Sequence, residues 1–573
     1  MTTTAQARSS GRNRRRFSPF DVVVTAVCGA LVLLIVYPLA GTLVNIASGE
    51  EGSVTGTFAD VFTDRRLLTV LGNTALVIGV SCLIAIVLGS TLAWLNERTN
   101  ARLGWASDVL PVVSLLVPST AGAIGWVLLA SPGAGFLNVI ISDINDAAGI
   151  GLPQLNIFSR PGMIFVYSLY MIPQVYLVVA SAMRNIDPAL EEAARVSGRR
   201  TFAVVRTVTL PAVAPAIVAG AVLSLVFGIA MFSVPLIIGT QANVPILTVE
   251  IVRKLTVAYP PDLLGAVLLS LLLLVAILGF TALSRVVTRR GHYATIGGRG
   301  AAQNPYAFGI GGRTVAWVFM FGYMALGCAL PVAALTLVSF QPFWTGSFTA
   351  PLRLRAYEQL FRSGSETYEA LTNSLVLGIA AATICMVVAI LVAYRIGRSR
   401  RFGALLDTTT KIPGTVSHVI FAIAFVSALA GPPLRLGGTL TILLLAYVVL
   451  YITQATVSSQ SAAAQVGKDL LDASRVSGRG PAETLRRISL PLMAPGIAAG
   501  WVFVFVLVVG DITASAILAG TKTPVVGFTM LSLFQNGTYP NLAALATVIT
   551  VLSMVVVGAA LVWVNRARKR VSR

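Results

Sequence analysis

Charge is scarce in this chain. Asp, Glu, Lys and Arg make up 11% of its 573 residues, against roughly 25% in soluble globular domains, and that shortage excludes a water-soluble fold. Histidine is scarcer still, with two residues, and no Gly-x-x-x-x-Gly-Lys-Ser/Thr run occurs. The first absence leaves little material for acid–base or metal chemistry. The second removes the loop that cradles nucleotide phosphates. The four cysteines (Cys28, Cys82, Cys328, Cys385) lie inside apolar runs, without zinc spacing or a disulfide framework, and are expected to pack as small core residues. Acidic residues number 22 against 42 basic, a net charge of +20. That excess does not point to nucleic acid, because the basic residues stand in short loops between apolar runs, where they encode membrane topology.

What is present is apolar: 56% hydrophobic residues and a mean hydropathy of +0.83. A spanning helix needs about 20 mostly apolar residues. Such runs fall near 20–46, 69–95, 109–130, 161–182, 212–238 and 263–287, then near 314–339, 370–394, 410–430, 438–459, 492–519 and 541–565. The expected fold is an all-α polytopic membrane protein of about twelve spans. Arg12-Asn-Arg-Arg-Arg16 before the first run resembles the start of a signal peptide, but that run is too long and lacks a clean cleavage site. The first span is expected to be retained.

The chain also repeats itself. Leu190-Glu-Glu-Ala-Ala-Arg-Val-Ser-Gly198 returns 280 residues later as Leu470-Leu-Asp-Ala-Ser-Arg-Val-Ser-Gly478, and 190–220 matches 470–500 at 15 of 31 positions without a gap. Asn73-Thr74 is mirrored by Asn373-Ser374. Six spans per half give both halves the same orientation, a parallel repeat related by an axis near the membrane normal. The organisation is a basic tail (1–17), a first six-span repeat (18–287), a Gly- and Arg-rich linker (288–313), a second repeat (314–565) and a basic tail (566–573). Assigning both termini and alternate loops to one side collects 31 of the 42 basic residues there, so termini, linker and motif loops are expected to be cytoplasmic.

The best-preserved stretch is a polar loop, which apolar composition cannot explain. In the first copy (187–211), Asp187-Pro188 suits a helix N-cap followed by proline at the first helical position, and Gly198 suits a C-terminal stop. The second copy (467–491) starts less cleanly but has the same stop at Gly478 and the same Leu490-Pro491 return to the membrane. Small residues (Ala193, Ala194, Ala473, Ser474) leave a low profile for a partner. Glu192 and Asp472 complement the helix dipole and can pair with a partner's basic groups. Duplication of such a loop points to a docking surface used twice rather than to an ordered connection between spans.

Glu192-Ala-Ala194, Gly198 and Val208-x-Leu-Pro211 resemble the EAA loop of binding-protein-dependent ABC importer permeases. The second copy, Asp472-Ala-Ser474, Gly478 and Ile488-x-Leu-Pro491, departs from strict Glu-Ala-Ala while keeping acidic and small residues in place. The resemblance covers nearly the whole chain and implies a type I importer transmembrane fold in a bacterial plasma (inner) membrane. It further implies a homodimeric cytoplasmic ATPase carrying ATP and magnesium, one groove for each EAA helix, and an extracytoplasmic substrate-binding protein. No cofactor is expected on this chain. Among fused twelve-span permeases, Phe232-Ser-Val-Pro-Leu-Ile-Ile-Gly239 and Gly510-Asp-Ile-Thr-Ala-Ser515 look most like the ferric iron members, with thiamine, polyamine and phosphonate importers as alternatives.

Deep within the spans there is one acid and one histidine. Asp511 is an acid deep in an apolar run, with Met231 at the equivalent place in the first half. It is either a carboxylate on the path of a cationic substrate or an acid hydrogen-bonded between helices. His418 in the ninth span is either a packing residue or a second path residue. A secondary transporter, the rival class, would need a relay of intramembrane acids, and two docking loops would then have no role.

Overall fold

The computed structural model describes residues 19–571, apart from 48–62, 105–106, 108–109, 260–261, 291–305, 398–399, 465 and 521. The basic N-terminal tail and most of the linker lie outside the described residues. No β-strand occurs among the described residues, as expected where lipid offers backbone groups no hydrogen-bond partners. Ten helices there are long and apolar enough to cross a membrane, or up to twelve if two bent pairs each count as one span.

The first repeat contains α1 (Pro19–Ala47), α2 (Arg65–Arg98), a tight turn of helix (Leu110–Leu116) leading into α3 (Ser119–Ala130), α4 (Phe136–Ala148), α5 (Arg160–Arg184), the motif helix α6 (Pro188–Val196), α7 (Thr201–Ala230), α8 (Leu247–Thr256) and α9 (Leu263–Arg290). The second contains α10 (Ile310–Ser339), α11 (Arg355–Leu360), α12 (Glu366–Ile396), α13 (Arg400–Thr415), α14 (His418–Phe425), α15 (Leu440–Ala464), the motif helix α16 (Lys468–Val476), α17 (Pro481–Val509), α18 (Thr513–Leu518), α19 (Val526–Gln535) and α20 (Tyr539–Val571). Residues 566–571, expected as a tail, continue the last helix.

Four expected spans take a different form. The runs at 109–130 and 410–430 bend by 96° and 100°. The first bend is at Pro118, whose missing N–H and restricted φ end one helical direction and start another. The runs at 212–238 and 492–519 are not continuous: α7 stops at Ala230 and α17 at Val509. Both also begin earlier than expected, at Thr201 and Pro481, ahead of Pro211 and Pro491. A π-helical turn (Val205–Thr209, Leu485–Ser489) precedes Pro211 and Pro491. The wider turn makes room for the pyrrolidine ring, so the helix runs through it unbroken.

The repeats exchange their first helices. α1 packs on α12, α13 and α14 of the second repeat, while α10 packs on the 110–116 turn and α3 of the first as well as on α20 of its own. The aromatic ends mark these contacts: the Phe20 and Tyr394 rings meet edge-on at 5.3 Å, and the Tyr394 hydroxyl donates to Asp21 Oδ1 at 3.0 Å. On the other side, Trp126 Nε1 donates to Leu326 O at 3.2 Å and Trp317 Nε1 to Ala101 O at 2.8 Å. Interhelical hydrogen bonds in a membrane average about 0.6 kcal/mol each, so packing carries most of this interface. One hydrophobic core accordingly runs through both halves.

Candidate functional site

Both motif helices are built from local sequence. In α6, Asp187 Oδ1 accepts from Ala189 N at 3.0 Å, and Gly198 ends the helix in the left-handed region at φ +79°, with Arg199 N returning to Ala194 O at 3.3 Å. α16 ends alike, with Gly478 at φ +74° and Arg479 N bonded to Ser474 O at 3.2 Å. A β-branched residue in that conformation costs about 1–2 kcal/mol and would turn the chain leaving the helix. Gly478→Val is expected to insert normally yet lose several-fold in transport per ATP hydrolysed, read by uptake alongside ATPase co-purification. Uptake and co-purification equal to the parent would refute the role given to this stop.

The sequence-predicted docking residues divide into two groups. Ala193, Gly198, Asp472, Ala473 and Gly478 are exposed, and Glu192 and Ala194 are half-buried. Ser474 is turned inward, sharing a 2.8 Å hydrogen bond with the Thr484 hydroxyl, so it contributes no outward surface. The outward apolar groups lie beside the acidic and small residues of the motif: Val196 and Val476, each 89% exposed, and Leu190 and Leu470, at 56% and 50%. Apolar side chains held open at the same two places in both repeats mark a contact surface.

The supports beneath the two helices differ. Glu191, not Glu192, is the buried acid of α6. Its Oε1 accepts from the Thr209 hydroxyl at 2.7 Å and lies 3.7 Å from Arg98 Nε, both side chains being almost fully buried. Arg98 also donates to Met183 O at 2.7 Å and Ile186 O at 3.3 Å, so one guanidinium ties the end of α2 to the loop ahead of the motif. Tyr306, at the end of the linker, closes this pocket with its ring under the Arg195 guanidinium at 4.8 Å. Burial pushes the Tyr306 phenol above its ordinary pKa, and the Glu191 carboxylate adds to that shift. Beneath α16 the position of Glu191 is taken by Leu471, which packs on Ala462, Val466 and Met493. There a cavity of about 750 Å³ opens, lined in part by Tyr394, Leu471 and Ser489.

The other assembly lies where bends meet breaks. Asp511 sits in the break between α17 and α18, not within a helix as expected. It is 6% exposed. Its Oδ1 accepts from the backbone N–H groups of Ala514 at 2.9 Å and Ser515 at 3.3 Å, which caps α18, and its Oδ2 accepts from the Tyr451 hydroxyl at 2.8 Å. His418, first residue after the second bend, brings Nδ1 to 3.7 Å from the same Oδ2 and sets its ring edge-on to Tyr451 at 5.2 Å. The break is held from α12. Val526 N donates to the Ser374 hydroxyl at 2.8 Å and Asn373 Nδ2 to Pro524 O at 2.9 Å, and Gly527 then lies so close to the Asp511 carbonyl that a Cβ would clash. The first half repeats this clamp with Asn73 to Pro245 O at 3.4 Å and Leu247 N to Thr74 at 3.1 Å. Its chemistry is different. Met231, Ser119 and Met171 stand where the second half has Asp511, His418 and Tyr451, and the bend meets the break through a 3.2 Å hydrogen bond between Ser119 and Ser233.

Two exchanged helical bundles, a loop displayed twice with the same exposed apolar residues, and one polar cluster where bend and break meet define a membrane transport component. The sequence profile of the family described as binding-protein-dependent transport system inner membrane component matches residues 85–290 and 385–572. The chain belongs to that family: it is the multi-pass inner-membrane permease of an ABC importer, a transport component and not an enzyme, working with an ATPase partner and a substrate-binding protein. The ferric transport system permease protein FbpB of Actinobacillus pleuropneumoniae is 21% identical over 570 residues, 97% of this chain and 80% of that one. The spermidine/putrescine transport system permease protein PotC of Haemophilus influenzae is 26% identical over 233 residues, 40% of this chain and 88% of its own. A solved chain of a bacterial ABC transporter involved in the import of the acidic polysaccharide alginate aligns at TM-score 0.36 and 19% identity, over 44% of this chain and 92% of that one.

Proposed function

We propose that this permease imports ferric iron, with both termini cytoplasmic and α6 and α16 seated in the grooves of two copies of one ATPase, which bind ATP and magnesium. The observation that carries the substrate is the match to a ferric permease along nearly the whole chain. The polar cluster supports it, because Asp511 and His418 beside the path offer a carboxylate and an imidazole to a passing cation, and oxygen and nitrogen donors suit iron. ATP-driven approach of the ATPases moves α6 and α16. Through α7 and α17 that motion reaches the breaks at 231–232 and 510–512, so the cluster is presented to one side and then the other. Polyamine uptake is a second reading, favoured by the PotC similarity and by the same carboxylate. The test is reconstitution of the permease with its ATPase and binding protein. Ferric iron, and not spermidine, thiamine or a phosphonate, is expected to accumulate and to stimulate hydrolysis, while the purified permease alone hydrolyses nothing. Stimulation by spermidine without iron uptake would reassign the substrate. Hydrolysis by the permease alone would overturn the division of labour.

A further inference from the structure

The seat beside α6 is filled by the segment that opens the other repeat. Tyr306 is 4% exposed. Its N–H donates to Arg98 O at 2.8 Å and its carbonyl accepts from Asn100 N at 3.1 Å, a single bridge of extended backbone. Its ring and that of Phe308 lie 5.9 and 5.8 Å from Trp94, and Asn100 grips Phe308 through both N–H and carbonyl, at 3.0 and 3.2 Å. Trp94, Glu191 and Thr209 surround this seat. The residues matching them in the second half are Tyr394, Leu471 and Ser489, and all three line the 750 Å³ cavity beside α16.

The chain that arrives at that cavity is the start of α1. Phe20 meets Tyr394 at 5.3 Å as Phe308 meets Trp94, and the neighbouring Asp21 accepts from the Tyr394 hydroxyl. In the first half the segment continues from Phe308 back to Tyr306 and fills the seat. In the second half the residues that continue from Phe20 are 1–18, outside the described residues. Their first aromatic before Phe20 is Phe17, preceded by Arg14, Arg15 and Arg16, and the cavity wall is mostly apolar with one acid and one base, Asp472 and Arg479.

We propose that the N-terminal arm occupies this cavity, with Phe17 placed against Tyr394, Leu471 and Ser489 as Tyr306 is placed beside α6. The motif helix α16, which already rests through Leu471 on Ala462, Val466 and Met493, then gains a second support from the seated arm, whereas α6 carries its own ion pair. The exchange of first helices thereby extends to the segments ahead of them, and each motif helix is braced by the opening residues of the opposite repeat.

The test uses the full permease assembled with its ATPase in membrane vesicles. With a short bis-maleimide cross-linker, which spans the reach of an aromatic side chain where a direct disulfide cannot, the Phe17→Cys/Ser489→Cys pair is expected to yield a cross-linked peptide by mass spectrometry. So is the Tyr306→Cys/Thr209→Cys pair, the positive control. A control that links beside a Phe17 pair that does not would overturn the proposal, whether the cavity then proves to hold phospholipid or a segment of the ATPase. Phe17→Ala, which leaves every arginine of the arm in place and so preserves topology, is expected to lower transport per ATP hydrolysed at least three-fold with expression and ATPase co-purification unchanged. Coupling equal to the parent would overturn the bracing role. Neither readout requires that the substrate be iron.

Discussion

Glu191→Leu is expected to destabilise the permease more than any other single change in the motif loops. It places in the first repeat the residue the second uses at the same position, Leu471, so side-chain volume is not at issue. The loss is electrostatic. Arg98 is almost fully buried and keeps only its bonds to the Met183 and Ile186 carbonyls. Removing one member of a buried pair costs about 3–5 kcal/mol, because the remaining charge is stranded away from water. Thermal unfolding of the solubilised complex should shift to markedly lower temperature, and protease should cut near residues 184–200 where it spares the parent. Adding Arg98→Met should restore a large part of the loss, since a well-packed apolar pair of similar volume is often as stable as the buried ion pair it replaces. A single variant as stable as the parent would show that the pair contributes nothing.

Asp511→Asn is expected to have the largest effect on transport itself. The asparagine carbonyl can still accept from Ala514 and Ser515, and the Tyr451 hydroxyl, able to accept as well as donate, can take a hydrogen bond from the new amide. The cap of α18 therefore persists while the charge is lost. If a cation rests against this carboxylate, uptake should fall roughly ten-fold or more, the equivalent of one charge-assisted contact of about 1.5 kcal/mol or above, with assembly and basal ATPase activity retained. Loss of assembly would assign Asp511 to holding the break together. Normal uptake by an intact complex would remove it from the path.

Duplication, span number and the limits of the motif helices are legible in the sequence because each rests on a local signal: a fixed offset, a run of apolar length, a glycine in the left-handed region. The bends and breaks are not. An apolar run shows that a segment can lie in lipid but carries no direction, so Ala230 and Val509 look like mid-span positions although the helix ends there. The choice between Glu191 and Glu192 is hidden for a related reason. They are adjacent acids on one helix, and which is buried depends on Arg98, far away in sequence. Ser474 reads as a low-profile surface residue and turns inward because Thr484 lies within hydrogen-bonding reach. Tyr451 passes as one more aromatic in an apolar span. A signal for it did exist: aligning the halves pairs Met171 with Tyr451 and Met231 with Asp511, two exchanges from apolar to polar, and Ser119 with His418, a hydroxyl for an ionisable ring, on three separate elements.

The exchange of first helices sets an order of events during synthesis. α1 ends at Ala47 and its packing surface on α12 begins at Glu366, more than 300 residues later. At 5–20 residues per second the newborn α1 stands in the bilayer for roughly a quarter of a minute to a minute before that surface exists. Through this interval Asp21 and the face that carries Val24, Cys28, Leu31 and Ile35 have lipid or insertion machinery for company. The second repeat faces no such delay, since α3 is already in place when α10 emerges. The half that is made first is thus the half that finishes last, and a ribosome stalled in the linker leaves behind a bundle whose opening helix has nothing to close against.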